Sequence, residues 1–191
     1  MLTYKLTRYS EIPDLLAKEI FLVRKKIFHD RLGWSIPCCG DQEKDPHDLP
    51  NTQILVATFA THHLAGYARL LPTDDICMLD TTLPFPNIDR AAWKGFYEIS
   101  RFFLVRNRAV VAARLTARNF FRELILAAHI LCANGYLAAV DSRMLSCLSR
   151  CGWDYRVVST RFGSAGDVIF LVSLAVDNKA LGKVSSGVAS S

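Results

Sequence analysis

Gly95-Phe-Tyr-Glu-Ile-Ser-Arg-Phe-Phe-Leu104 is an apolar, aromatic run with three polar side chains, Glu98, Ser100 and Arg101, set into its middle. Its composition and length predict a strand over Phe96–Val105. On a regular strand Glu98 and Ser100 share one side and Arg101 takes the other, unless a bulge rotates it. A charge buried in such surroundings is costly, so each needs a partner or a ligand. A carboxylate here suits a general base, because apolar surroundings favour its protonated form while a nearby guanidinium opposes that. The alternative is a buried Glu98–Arg69 or Glu98–Arg101 ion pair that holds the sheet together.

Working outward, Gln53–Ala60 and Leu64–Leu71 are β-rich runs joined by Thr61-His62-His63, a hairpin pattern, and Ile76–Asp80 reads as a short strand. Beyond the central run, Val110–Ala133 reads as a helix, Tyr136–Val140 as a strand and Met144–Arg150 as a helix. Trp153–Ser159 and Val168–Ala175 read as two closing strands. Ahead of all these, Ile12, Leu15, Leu16, Ile20, Val23 and Ile27 recur at helical spacing over Ile12–Phe28, with Pro13 in the first turn. His29–Thr52 reads as a long functional loop. Strands followed by alternating helices and strands predict an α+β or mixed α/β fold: one mixed, mostly antiparallel sheet of about seven strands with helices on both faces.

The chain has 191 residues, 51% of them hydrophobic, which suits one well-buried core. A single domain over residues 1–182 with a flexible tail over 183–191 is expected. The N-terminus has no apolar leader core, and the greasiest stretch, Leu124–Ala133, is interrupted by His129, so neither a secretion signal nor a membrane span is expected. Cys38, Cys39, Cys77, Cys132, Cys147 and Cys151 form no pattern of metal-ligand spacing; free thiols in a reducing cytoplasm and no metal are expected.

The net charge of +5 is uneven: Arg101 to Arg122 holds six arginines and no acid. Arg114, Arg118 and Arg122 recur every four residues and would form one helical stripe, either a solvated face or a docking surface for an acidic partner. Nucleic acid is disfavoured, because no helix-turn-helix, zinc-finger or ribonucleoprotein signature accompanies the charge.

Arg24 and Phe28 are one turn apart on the first helix and project together. Asp45 and Asp48 sit on one loop, where they can hold an ammonium or sulfonium, bind an arginine or coordinate a metal; a calcium loop needs more alternating oxygens. Trp34 offers a flat face to a cation or a purine. Together with Arg69, Phe85, Glu98 and Arg101, these residues read as a site for a charged small molecule.

This spaced series, with Asp30-Arg-Leu-Gly-Trp34, Ala68-Arg-Leu-Leu-Pro72 and Glu98-Ile-Ser-Arg-Phe102, resembles the acyl-homoserine-lactone synthases, the LuxI-like autoinducer synthase family. The resemblance runs from about Arg24 to Trp153. It implies an acetyltransferase-like fold and a reaction between S-adenosylmethionine, a substrate and not a cofactor, and an acyl chain on acyl carrier protein. The methionine amine attacks the thioester, then the carboxylate displaces sulfur, closing the lactone and releasing methylthioadenosine. The resemblance makes Glu98, Ser100 and Arg101 catalytic and gives Arg24, Phe28, Trp34, Asp45, Asp48, Arg69 and Arg101 to the adenosylmethionine pocket. Acyl selection falls to Phe85, Phe103, Leu124, Ala138, Met144 and Leu148. An acidic carrier would dock on Arg114, Arg118, Arg122, Arg143 and Arg150.

Arg106-Asn-Arg-Ala-Val-Val111 lacks the glycines with which coenzyme A-dependent acetyltransferases cradle a pyrophosphate, which favours a carrier-protein donor. His47 and Ile99 depart from the residues usual in the family. Ala138 stands where synthases of 3-oxoacyl products tend to have threonine, so an unsubstituted acyl chain is expected. Two competing readings are a coenzyme A-dependent N-acyltransferase of the same fold and a non-catalytic adenosylmethionine-binding protein.

Overall fold

Leu2, Tyr4 and Leu6 are half-buried while Thr3 and Lys5 are exposed, the period-two pattern of a strand that covers a core with one face. The segment is strand β1 (Leu2–Arg8), which the sequence reading did not anticipate. A computed structural model describes residues 2–59, 63–86, 88–105, 117–163 and 166–186. Residues 1–70 and 101–114 form one compact unit, and residues 71–100 and 115–191 a second.

In the first unit β1 runs antiparallel to β4 (Gln53–Phe59), from Leu2 opposite Phe59 to Arg8 opposite Gln53. β4 in turn pairs antiparallel with β5 (Leu64–Pro72), so that Ile54 lies opposite Arg69. Helix α1 (Asp14–Arg24) starts after Pro13, whose carbonyl accepts from Leu16 and Ala17. It continues into a π-helical turn over Lys25–Arg31 that carries Phe28 inward. The helix expected over Ile12–Phe28 is therefore two geometries in series. The long loop is not featureless either: Cys38–Cys39 (β2) and Gln42–Glu43 (β3) make a small antiparallel hairpin. Ile20, Phe28, Ile54, Val56, Leu64, Tyr67 and Phe103 form this unit's core.

In the second unit the start of β6 (Tyr97–Leu104) lies parallel to β7 (Tyr136–Val140), pairing Glu98 with Leu137 and Ile99 with Ala138. A parallel pair needs a crossover, and helix α2 (Ala117–Ile130) lies within it. Helix α3 (Ser142–Cys151) begins at Asp141, whose side chain accepts from Met144 N at 2.7 Å. It stops at Gly152, left-handed at φ 74°, where a side chain would be strained. β8 (Tyr155–Phe162) and β9 (Val168–Leu174) close the unit as a hairpin, with β9 antiparallel to β7.

The order β1-β4-β5-β6-β7-β9-β8 gives the mixed, mostly antiparallel seven-stranded sheet that was expected, with one change of membership. Ile76–Asp80 is not a strand. Its backbone folds into turns, with Asp80 N on Cys77 O at 3.1 Å and Leu83 N on Met78 O at 2.9 Å, and β1 makes up the number. The start of β8 moves to Tyr155 because Trp153 is needed in the stop of α3, its N–H on Leu148 O at 3.1 Å. Within the helix expected over Val110–Ala133, α2 covers Ala117–Ile130, and residues 110–116 lie outside the described residues, as do Thr61 and His62 of the first hairpin.

The tail holds a helix that was not anticipated, α4 (Asn178–Ser186). Asp177 caps it by accepting from Ala180 N at 2.7 Å, and Ala180 and Val184, one turn apart, are fully buried on the side that packs against α2. Residues 187–191 lie outside the described residues.

Candidate active site

In the first unit, helix, loop and strands deliver three arginines and three carboxylates to one buried cluster. α1 ends with Arg24, β5 carries Arg69 and β6 carries Arg101; β3 carries Glu43, and the turn after it Asp45 and Asp48. Arg24 Nε donates to Glu43 Oε2 at 2.5 Å, and its Nη1 donates to Asp48 Oδ1 at 2.7 Å and to the Tyr9 hydroxyl at 3.1 Å. Tyr9 and Tyr67 hydroxyls are bonded to each other behind it. Arg69 grips Asp45 with both terminal nitrogens, at 2.6 and 2.9 Å, and reaches Asp48 Oδ1 at 2.7 Å. Arg101 forks onto Glu43, Nε to Oε2 at 3.1 Å and Nη2 to Oε1 at 3.0 Å, and meets Asp45 Oδ2 at 3.2 Å.

The cluster is neutral in sum, which is what permits its burial: all six side chains are at most 3% exposed. Burial alone would push Asp45 up, but its hydrogen bonds to Arg69 and the charges of Arg69, Arg24 and Arg101 hold it well below the usual carboxylate range. Asp48 is likewise depressed, against its burial, by Arg24 and Arg69. Of the three uses open to the loop acids, arginine binding is the one realised. Among the described residues no group of three or more His, Cys, Asp and Glu side chains is placed to hold a metal.

Two features turn this cluster into a site. Among the described residues Arg24 Nη2 is buried with no hydrogen-bond partner, Asp45 Oδ2 lying 3.7 Å away, a donor that a ligand or a water would satisfy. Trp34, only partly buried, lies on Phe28 with ring centroids 5.1 Å apart, and the Arg101 guanidinium sits 5.4 Å over the same Phe28 ring. Within β6 Arg101 takes a left-handed backbone, φ 55°, uncommon for a residue with a Cβ. It rotates the guanidinium onto Glu43 and Asp45.

Glu43 was not among the candidates. The available signal was its place two residues before Asp45 in Glu43-Lys-Asp45, on the same acid-rich loop. Tyr9 and Tyr67 carried no such signal.

In the second unit Glu98 is 3% exposed, and its Oε2 accepts from Leu79 N at 3.2 Å. The Cys77 thiol, in the same turn, lies beside this carboxylate; its burial and the carboxylate's charge push the thiol up. The turn is therefore where an apolar strand was expected because its backbone and side chains line Glu98. Ser100 is buried as well. Phe85 is packed with Leu137, Leu171 and Trp93 in this unit's core.

The remaining acyl-pocket candidates come from several elements. Leu124 and Leu148 are buried in α2 and α3, Met144 is half-buried in α3, and Phe103 stacks on Tyr67 in the other unit's core. Ala138 lies opposite Ile99 and Val172, so strand alternation puts it on the face of Ile99, while Leu137 shares the face of Glu98.

Of the docking arginines, Arg114 lies outside the described residues. Arg118 is occupied: its guanidinium donates to the carbonyls of Arg150 at 2.8 Å, Cys151 at 3.3 Å and Val184 at 3.4 Å, clasping the ends of α3 and α4. Arg122 pairs with Glu123 at 2.5 Å. Arg143 and Arg150 are exposed on α3. All six cysteines are free thiols, and no helix of the described residues is long and apolar enough to cross a membrane.

With this geometry in place, comparison with known proteins is informative. The profile described as autoinducer synthase matches residues 9–184. An acyl-homoserine-lactone synthase of Pseudomonas amygdali pv. tabaci is 31% identical over 180 residues, 91% of this chain and 78% of that one. Among solved structures, the acyl-homoserine-lactone synthase LasI superimposes with a TM-score of 0.83 at 17% identity, covering 100% of this chain and 98% of its own. TofI, in a ternary complex with an inhibitor and MTA, gives 0.78 at 21% identity, with 96% of each chain covered. BjaI, a coenzyme A-dependent acyl-homoserine lactone synthase bound to S-adenosylmethionine and isopentyl-CoA, gives 0.77 at 15% identity, covering 97% and 89%. At these identities the superpositions bear on the fold.

Proposed function

The chain belongs to the autoinducer synthase family, acyltransferases that make acyl-homoserine lactones, and from that premise we propose that it joins S-adenosylmethionine to an acyl chain delivered by acyl carrier protein. The observation that carries the reading is the buried Glu98 carboxylate on β6 of the second unit, and the neutral three-arginine cluster of the first unit supports it. TofI with MTA and BjaI with S-adenosylmethionine lend support, since both ligands belong to this chemistry.

Glu98, directly or through a water, takes a proton from the methionine amine; the nitrogen then bonds to the thioester carbonyl carbon and the carrier thiol leaves. In the second step the substrate carboxylate attacks the carbon next to sulfur, the carbon–sulfonium bond breaks with its electrons going to sulfur, and methylthioadenosine departs neutral. Arg24, Phe28, Trp34, Asp45, Asp48, Arg69 and Arg101 shape and brace the adenosylmethionine pocket, with the carboxylates acting through the arginines. S-Adenosylmethionine is consumed as a substrate, and no cofactor is required. Residues 1–182 serve as one catalytic domain, in the cytoplasm, where both substrates are made.

A carrier-protein donor is supported by the missing glycines of Arg106–Val111 and by Arg122, Arg143 and Arg150. An unsubstituted acyl chain is supported on both sheet faces, since neither Leu137 nor Ala138 offers a hydroxyl to a 3-oxo group. Purified protein given S-adenosylmethionine and a panel of acyl carrier proteins should release methylthioadenosine and lactone together; no release with any chain length overturns the reading. Turnover on acyl-coenzyme A that equals or exceeds it selects the coenzyme A donor instead.

A further inference from the structure

A buried cysteine usually serves as a small apolar filler, and Cys77, with no exposed surface, would pass for one but for its neighbours. One turn brings the Leu79 N–H to 3.2 Å from Glu98 Oε2 and sets the Cys77 thiol beside the same carboxylate. The sulfur itself accepts from Arg90 Nη1 at 3.4 Å. A thiol has a single hydrogen, so a donor on its acceptor side leaves that hydrogen for the carboxylate.

The turn is fixed from several directions. Cys77 N donates to Asp80 Oδ2 at 2.9 Å, and Asp80 Oδ1 pairs with Arg90 Nη1 at 3.2 Å. Arg90 Nη2 donates to the carbonyl oxygens of Thr73 and, at 3.1 Å, Asp75. Burial and the negative charge of Glu98 push the thiol up to about 12, so it keeps its hydrogen at neutral pH.

We propose that Cys77, backed by Arg90, is the positioning residue that orients the Glu98 carboxylate for proton abstraction from the substrate amine. The proposal rests on Glu98 being the base. A base off its line to the nitrogen loses rate without losing substrate affinity. Arg90 acts on the pair through its hydrogen bond to the sulfur and through its charge.

The test compares Cys77→Ala, Cys77→Ser and Glu98→Gln for methylthioadenosine release, at a temperature well below the melting point of each. Cys77→Ala should lower kcat about 10- to 100-fold, the range for losing a hydrogen bond to a charged group, with KM for S-adenosylmethionine within about threefold. Cys77→Ser keeps a donor and should recover to within about threefold of the parent. A Cys77→Ala enzyme with parental kcat, a change confined to KM, or a serine variant as slow as the alanine one overturns the proposal. Failure of the underlying reading looks different: Glu98→Gln then turns over like the parent. An inactive Glu98→Gln beside an active Cys77→Ala overturns the positioning role alone.

Discussion

Arg101 enters the left-handed backbone region inside a strand and its guanidinium closes on Glu43 through Nε and Nη2, at 3.1 and 3.0 Å. The backbone conformation is unfavourable by roughly 1–2 kcal/mol for a residue with a Cβ, and the charge-assisted fork offsets it. Replacement should separate the two terms. Arg101→Ala and Arg101→Gly both lose the fork, but Arg101→Gly should be the more stable by about 1 kcal/mol, read from urea midpoints; the reverse order removes the strain argument.

Glu43 neutralises Arg24 and Arg101 at once. Glu43→Ala should destabilise the protein by roughly 3–5 kcal/mol, because it leaves two buried guanidinium groups short of a counter-charge, and Glu43→Gln should cost less. Chemical denaturation reads the loss directly. A change under about 1 kcal/mol for Glu43→Ala would mean that the cluster relaxes by admitting water.

Asp45 and Asp48 are held below the ordinary carboxylate range by Arg69 and Arg24 against their burial. The unfolded chain therefore binds more protons than the folded one as the pH drops. Their contribution is present in full above the unfolded value of about 4 and is lost progressively as pH falls below it toward the depressed folded values. Stability measured from pH 6 to pH 2 should show this loss, and Asp48→Asn should flatten the slope; an unchanged slope places the acid sensitivity elsewhere.

The arginines expected to form the docking face should behave differently from one another. Arg118→Ala should lower stability by about 1–3 kcal/mol, since it strands carbonyls at the ends of α3 and α4. Arg143→Glu and Arg150→Glu should leave stability alone and raise KM for acyl carrier protein several-fold, with a weakened salt dependence and KM for S-adenosylmethionine unmoved. Equal KM values for carrier protein in parent and variants exclude this face from docking.

Ala138→Thr places a hydroxyl on the Ile99 face of the sheet. If the acyl 3-position passes that face, the ratio of 3-oxo to unsubstituted lactone should rise by about tenfold, read by mass spectrometry of the products. An unchanged ratio, together with a shift in Leu137→Thr, moves selection to the face of Glu98.

The strands of the sheet interior were legible because continuous apolar runs bounded by turns leave little choice, and Tyr136–Val140 appears with the expected ends. Ile76–Asp80 misled for the same reason: an apolar run also suits a turn wrapped round a buried carboxylate, and nothing local tells the two apart. β1 was overlooked because its alternation is faint, with only half-buried residues on the inner side. In α4, Gly182 and the serines have poor helix propensity, and two small buried residues, Ala180 and Val184, suffice to dock it. The charged residues of the site were legible as a set, because charge inside apolar sequence demands explanation. Their pairing was not, since Glu43 and Arg101 are 58 residues apart and the left-handed backbone at Arg101 is a property of the strand in place.

That same separation bears on the order in which the molecule assembles. Arg24, Glu43, Asp45, Asp48, Arg69 and Arg101 come from distant parts of the first unit, and closing so many loops onto one point is entropically unfavourable until most of the chain has condensed around Ile20, Ile54 and Tyr67. The cluster should therefore form on the native side of the folding barrier. Its loss would then show mainly as faster unfolding and leave the refolding rate nearly as it was, so the residues that brace the adenosylmethionine pocket would also set how long the folded enzyme lasts.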